Sequence, residues 1–78
     1  MNYIATFYTH ASALLTNRTL QKQGIEAKLG PVPRELSSSC GTCVRYRADD
    51  PMLNAMDQDV ESVYACEKTG YRLLMHHE

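Results

Sequence analysis

The first strand constrains the architecture most. Asn2 to Tyr8 carries β-formers at Tyr3, Ile4, Phe7 and Tyr8, and both of its alternating faces are largely apolar. A strand that is apolar on both sides belongs at the centre of a sheet, covered above and below. The chain has 78 residues and makes one domain, residues 1–78. A domain of this size buries only about 60% of its unfolded surface, so its core is thin. A surface site built on one or two loops suits it better than a deep catalytic cleft.

The rest of the chain supplies one sheet and two helices. Thr9 is a good N-cap, and Ala11 to Gln23 reads as a helix ended by Gly24. Ala13 and Leu20 share one helical face; Ala11, Leu14 and Leu15 lie on another that is either exposed or meets a partner. Ile25 to Leu29 alternates as a half-buried strand at an edge. Gly30-Pro31-Val32-Pro33 breaks it, and Arg34 to Ser39 forms a loop with at most one helical turn. Thr42 to Arg47 resumes as a strand with Val44 and Tyr46 on one face. Asp50-Pro51 starts a second helix that fades near Gln58, with Met52, Leu53 and Met56 as its apolar stripe. Val60 to Cys66 fits either helical spacing or a strand, and Lys68-Thr69-Gly70 favours a turn with Tyr71 to Met75 returning along it.

This order is that of an α+β, ferredoxin-like βαββαβ domain: an antiparallel sheet, two helices on one face and a C-terminal strand extension. Its expected core is Tyr3, Ile4, Phe7, Leu20, Ile25, Leu29 and Val44.

Several function classes are poor matches. Eight basic and nine acidic residues give a net charge of -1, which is no electrostatic footprint for nucleic acid. No apolar run approaches the roughly 18 residues needed to span a bilayer, so no membrane is expected. The N-terminus lacks a basic region before an apolar stretch and carries no cleavage pattern, so a cytoplasmic location is expected. Three cysteines are an odd number, unlike a disulfide framework. In a reducing compartment a Cys-x-x-Cys pair reads as redox-active or metal-binding.

The segment Pro31 to Val44 is the expected functional centre, and within it Pro31 to Cys43 differs in composition from everything around it. Two prolines stiffen the backbone leading into it. Ser37, Ser38 and Ser39 supply small side chains and hydroxyl donors, and Gly41 permits a backbone turn that a β-carbon would hinder. A thiolate on Cys40 could be stabilised by successive N–H groups, by the Ser38 and Ser39 hydroxyls and by Arg34, features that lower a thiol's pKa. The plain alternatives are a polar turn, a solvated Arg34 and a Cys40 that packs as a small hydrophobe.

The run Val32-Pro33-Arg34-Glu35-Leu36-Ser37-Ser38-Ser39-Cys40-Gly41 resembles the signature of the small selenium/sulfur carrier protein-like family. Thr6-Phe7-Tyr8-Thr9-His10 is similar to that family's strand end before its first helix, and Gln23-Gly24-Ile25 to its helix-to-strand turn. Together these cover roughly residues 3 to 47. The resemblance implies that Cys40 holds sulfur or selenium as a persulfide or selenosulfide. The partners it implies are a donor and an acceptor protein; no cofactor is called for. The C-terminal third is a looser match.

Cys43 completes Cys40-Gly41-Thr42-Cys43, where the family pattern often carries only the first cysteine. A second thiol could attack a persulfide on the first and release sulfide, leaving a disulfide; alternatively Cys43 is core. His10, at a helix N-terminus where the dipole favours neutral imidazole, could accept a proton near Cys40 if the strands beginning at Asn2 and Thr42 are neighbours. Cys66 is expected in the core, and His76, His77 and Glu78 in a frayed tail. The leading function is a carrier. The alternatives are a thiol–disulfide protein using Cys40 and Cys43, or a metal-binding domain. Zinc would need about four ligands, and Cys66, His76 and His77 are a weak second half for such a site. Self-association is expected through Ala11, Leu14 and Leu15 or through the open edge strand.

Overall fold

A computed structural model describes residues 1–78. Strand β1 (Asn2–Phe7) leads into helix α1 (His10–Lys22), which is followed by β2 (Glu26–Pro31), β3 (Thr42–Arg47), β4 (Val60–Glu67) and β5 (Gly70–His76). The strands form one sheet in the order β2-β3-β1-β4-β5, and every neighbouring pair is antiparallel. The protein is thus a small α+β domain with a five-stranded antiparallel sheet and one α-helix.

β1 takes the central position that its composition demands, and Tyr3 to Phe7 are all buried. Tyr3, Ala5 and Phe7 point to the α1 side, where they join Ala13, Leu20, Val44, Tyr46, Val60, Val63 and Ala65 in one core. The Tyr3 and Tyr46 rings stack across β1 and β3 with centroids 5.3 Å apart. Ile25 and Leu29 pack against this core only partly buried, at the β2 edge.

Helix α1 starts at its cap: the Thr9 hydroxyl accepts the Ser12 N–H at 3.1 Å. It ends where Gly24 turns into the left-handed region at φ 79° and the Ile25 N–H reaches back to the Leu20 carbonyl. Its buried face is Ser12, Ala13, Thr16 and Leu20, which leaves Leu14 and Leu15 in solvent.

The expected second helix does not form. Between Asp50 and Gln58 there is a single 3-10 turn, Leu53–Ala55. The Asp50 carboxylate accepts the Met52 N–H at 2.7 Å, two residues on. That local turn competes with helix propagation. Met52 itself is left-handed at φ 54°, which a right-handed helix cannot include. The segment is instead strapped to α1. The Asp57 N–H donates to the Thr16 hydroxyl at 3.0 Å, and the Ser12 hydroxyl donates to the Asp57 carboxylate at 2.7 Å. A two-helix ferredoxin-like layer is therefore corrected to one helix and a strap. The ambiguous Val60 stretch resolves as a strand, and β4 and β5 form a hairpin through Lys68 and Thr69.

Two further expectations change. The C-terminus is tied down rather than frayed. His76 closes β5, the His77 N–H donates to the Glu61 carbonyl at 2.8 Å, and the Tyr8 hydroxyl donates to the His77 carbonyl. Cys66 lies on the sheet face away from α1, near the end of β4, and is only half-buried.

Candidate functional site

The loop Val32 to Gly41 joins two paired strands and has no regular structure beyond one turn, closed by the Leu36 N–H on the Pro33 carbonyl at 3.0 Å. Its neck is pinched: Pro31 pairs with Thr42, and the Val32 N–H donates to the Gly41 carbonyl at 3.2 Å. Gly41 sits at φ 76°, so the residue after Cys40 occupies a conformation that disfavours a side chain. Two serines carry the far side. The Ser38 hydroxyl donates to the Phe7 carbonyl at 3.4 Å, and the Ser39 N–H donates to a Glu61 carboxylate oxygen at 3.0 Å. The loop is thus anchored to the C-terminal end of β1 and the N-terminal end of β4.

Cys40 hangs from this frame, half-buried against the α1-side core. Its thiol donates to the Thr42 carbonyl at 3.5 Å. The Thr42 hydroxyl lies 3.1 Å from Nδ1 of His10, the first residue of α1. β1 and β3 are neighbours, as the His10 reading required, and one residue, Thr42, joins the imidazole to the thiol's surroundings.

The other expected groups fall differently. Arg34 is exposed and makes no hydrogen bond or ion pair, so it is not brought to Cys40 by any contact. Ser38 and Ser39 hold the loop down and do not bond the sulfur. Cys43 is fully buried and lies opposite Thr6, on the sheet face away from α1. Its thiol donates to the Pro31 carbonyl at 3.5 Å. Burial pushes the Cys43 thiol up, partly offset by the Arg45 guanidinium. The two members of the Cys-x-x-Cys pair therefore serve different faces, and both are free thiols. No three His, Cys, Asp or Glu side chains gather to hold a metal.

Two participants were missed in the sequence: Thr42 and Glu61. Thr42 lies between the two cysteines and reads as mere spacing. Glu61 reaches the site only through strand register, which leaves no local signal.

Residues 2–56 match the family model "Putative Se/S carrier protein-like". The chain belongs to this Se/S carrier protein-like family. No curated protein and no solved structure matches it. The family segment runs from β1 through the 3-10 turn and contains His10, the whole Val32–Gly41 loop, Cys40 and Cys43. Strands β4 and β5 lie outside it, so the carboxylate of Glu61 that holds Ser39 comes from beyond the family segment. No helix is long and apolar enough to cross a membrane.

Proposed function

We propose that this Se/S carrier protein-like domain carries sulfur or selenium on Cys40 between a donor protein and an acceptor protein. The observation that supports it best is the placement of Cys40: a free, half-buried thiol on an anchored loop inside the family segment, with no walled pocket around it. A carrier needs an accessible sulfur and a docking face; it needs neither an oxyanion hole nor a cofactor. In the loading step the Cys40 thiolate attacks the terminal sulfur of a donor persulfide. A new S–S bond forms on Cys40, the donor's S–S bond breaks, and the donor leaves as its thiolate. Delivery repeats the exchange with the acceptor's thiolate as the nucleophile.

His10 and Thr42 position the loop's last residues beside Cys40 in this reading, and Ser38, Ser39 and Gly41 hold its shape. Cys43 is the latent second thiol. Attack by its thiolate on Sγ of a Cys40 persulfide would form a disulfide and expel hydrosulfide. Its burial on the opposite face holds that reaction back, so the cargo stays on the protein until an acceptor arrives.

The test is intact-mass measurement after incubation with a cysteine desulfurase and free cysteine. The wild type and Cys43→Ser should gain the mass of one sulfur atom, and Cys40→Ser should gain none. Retention of the adduct by Cys40→Ser, with its loss in Cys43→Ser, would reverse the roles of the two cysteines.

A further inference from the structure

The sheet face away from α1 carries a groove of about 820 Å³ that the carrier reading does not use. Cys66 and Tyr71, both half-buried, form its accessible apolar part.

The groove's charges are arranged against the interest of the fold. β2–β3 register sets Lys28 directly opposite Arg45, and Arg47 lies two residues along on the same face. Like charges placed opposite one another in a sheet are destabilising. None of the three is relieved by an ion pair; the one ion pair in the chain joins Arg72 to Glu67 at 2.9 Å. Glu26 and Glu35 also line the groove, as does Lys68, but neither carboxylate comes within ion-pair distance of a cation. With Glu67 occupied by Arg72, the four cations Lys28, Arg45, Arg47 and Lys68 outnumber the two free carboxylates in a chain whose net charge is -1.

We propose that this groove binds a small organic anion, its carboxylate, sulfonate or phosphate group received by Lys28 and Arg45 and its apolar body laid against Cys66 and Tyr71. An anion between Lys28 and Arg45 turns a cross-strand repulsion into two charge-assisted contacts, and Arg's fork suits a planar or tetrahedral oxyanion. The site is independent of Cys40, which packs at the α1-side core, whereas this groove opens on the other face.

Anilinonaphthalene sulfonate combines such an anion with such a body and serves as the probe, followed by fluorescence titration of the full chain. Binding should saturate, and Arg45→Gln and Lys28→Gln should each weaken it by about tenfold, the usual worth of one charged hydrogen bond. Arg18→Gln, on the exposed side of α1, should bind as the wild type does. Bound probe should slow iodoacetamide labelling of Cys66 and leave Cys40 labelling unchanged, read by peptide mass mapping. Equal binding by all variants, no saturable binding, or protection of Cys40 in place of Cys66 would overturn the assignment. Lys28 and Arg45 are exposed, so their variants should retain the wild-type circular dichroism.

Discussion

The carboxylate of Glu61 accepts the backbone N–H of Ser39 at 3.0 Å. The residue immediately before Cys40 is thereby tied to a strand that is separated from it by the whole of β3 and the strap. The main-chain carbonyl of Glu61 also accepts the His77 N–H, so one residue fixes both the cysteine loop and the chain end. Glu61→Ala should lower stability by about 1 kcal/mol, the net worth of a typical hydrogen bond. It should also speed alkylation of Cys40 by loosening the loop, and Glu61→Gln, which keeps one acceptor, should fall between. Urea unfolding together with iodoacetamide kinetics reads both effects; unchanged Cys40 kinetics in Glu61→Ala would show that the anchor does not control the loop.

The three thiols should separate by burial. Cys40 and Cys66 are half-buried, and Cys43 has no exposed surface. Burial also pushes the thiols of Cys66 and Cys43 up, which lowers their thiolate fractions. With limiting iodoacetamide, Cys40 should be labelled first, Cys66 more slowly, and Cys43 only when denaturant is added. Peptide mapping over time gives the order, and early labelling of Cys43 would contradict the closed β3 start.

Thr6 offers a test of a different kind. It lies on β1 opposite Cys43 and Ser62 with no exposed surface, and its hydroxyl oxygen has no hydrogen-bond partner. The neighbouring Ser62 hydroxyl is engaged with Nδ1 of His76 at 2.8 Å. An unpartnered buried hydroxyl costs stability, and valine has nearly the same shape without it. Thr6→Val should therefore stabilise the fold by about 1 kcal/mol, a rise in Tm of about 4–8 °C in a domain this small. A fall in Tm would mean that the hydroxyl is satisfied in solution.

Self-association is the outcome expected from α1. Leu14 and Leu15 are 44% and 51% exposed, and Ala11 is exposed beside them. The helix presents this apolar group to solvent because its buried face is Ser12, Ala13, Thr16 and Leu20. Sedimentation velocity across a concentration series should show a dimer or larger species that Leu15→Glu shifts to monomer. A monomer at the highest concentration would remove this role for the face.

Physical reasons explain which features could be read in the residues. β2 and β3 declare themselves through alternation, β1 through β-formers that are apolar on both faces, and α1 through Thr9 and Gly24, because these signals are local. Asp50-Pro51 misled because an Asp that caps a helix and an Asp that closes a short turn on Met52 look alike until the left-handed Met52 is seen. Cys43 could be placed in a strand, but its burial on the far face follows from lying opposite Thr6. The anchoring of Ser39 by Glu61, the Ser62–His76 contact and the tied C-terminus all depend on how β4 registers against β1 and β5. Register is a property of the assembled sheet, which no single segment contains.

The register of β3 on β1 gives the domain an alkaline weakness. Cys43 is buried opposite Thr6, and burial raises its thiol above the ordinary value near 9 despite the Arg45 charge. Below that ordinary value the thiol is protonated in both folded and unfolded chains, and pH has no leverage through it. Above it the unfolded chain releases the proton while the folded chain still holds it. The unfolded state then binds fewer protons, and stability falls as pH rises toward the folded value. Cys66, raised by burial as well, acts with the same sign, as does the buried phenol of Tyr46, which donates to the Pro51 carbonyl. Urea unfolding over a pH series from neutral into the alkaline range should show this decline. Cys43→Ala should be less stable at neutral pH because it leaves a small void, yet should lose less stability per pH unit above the ordinary thiol value. The comparison is between slopes, so the void does not confuse it. Equal slopes in the wild type and Cys43→Ala would place the alkaline loss in Tyr46 and Cys66 and leave Cys43 out of it.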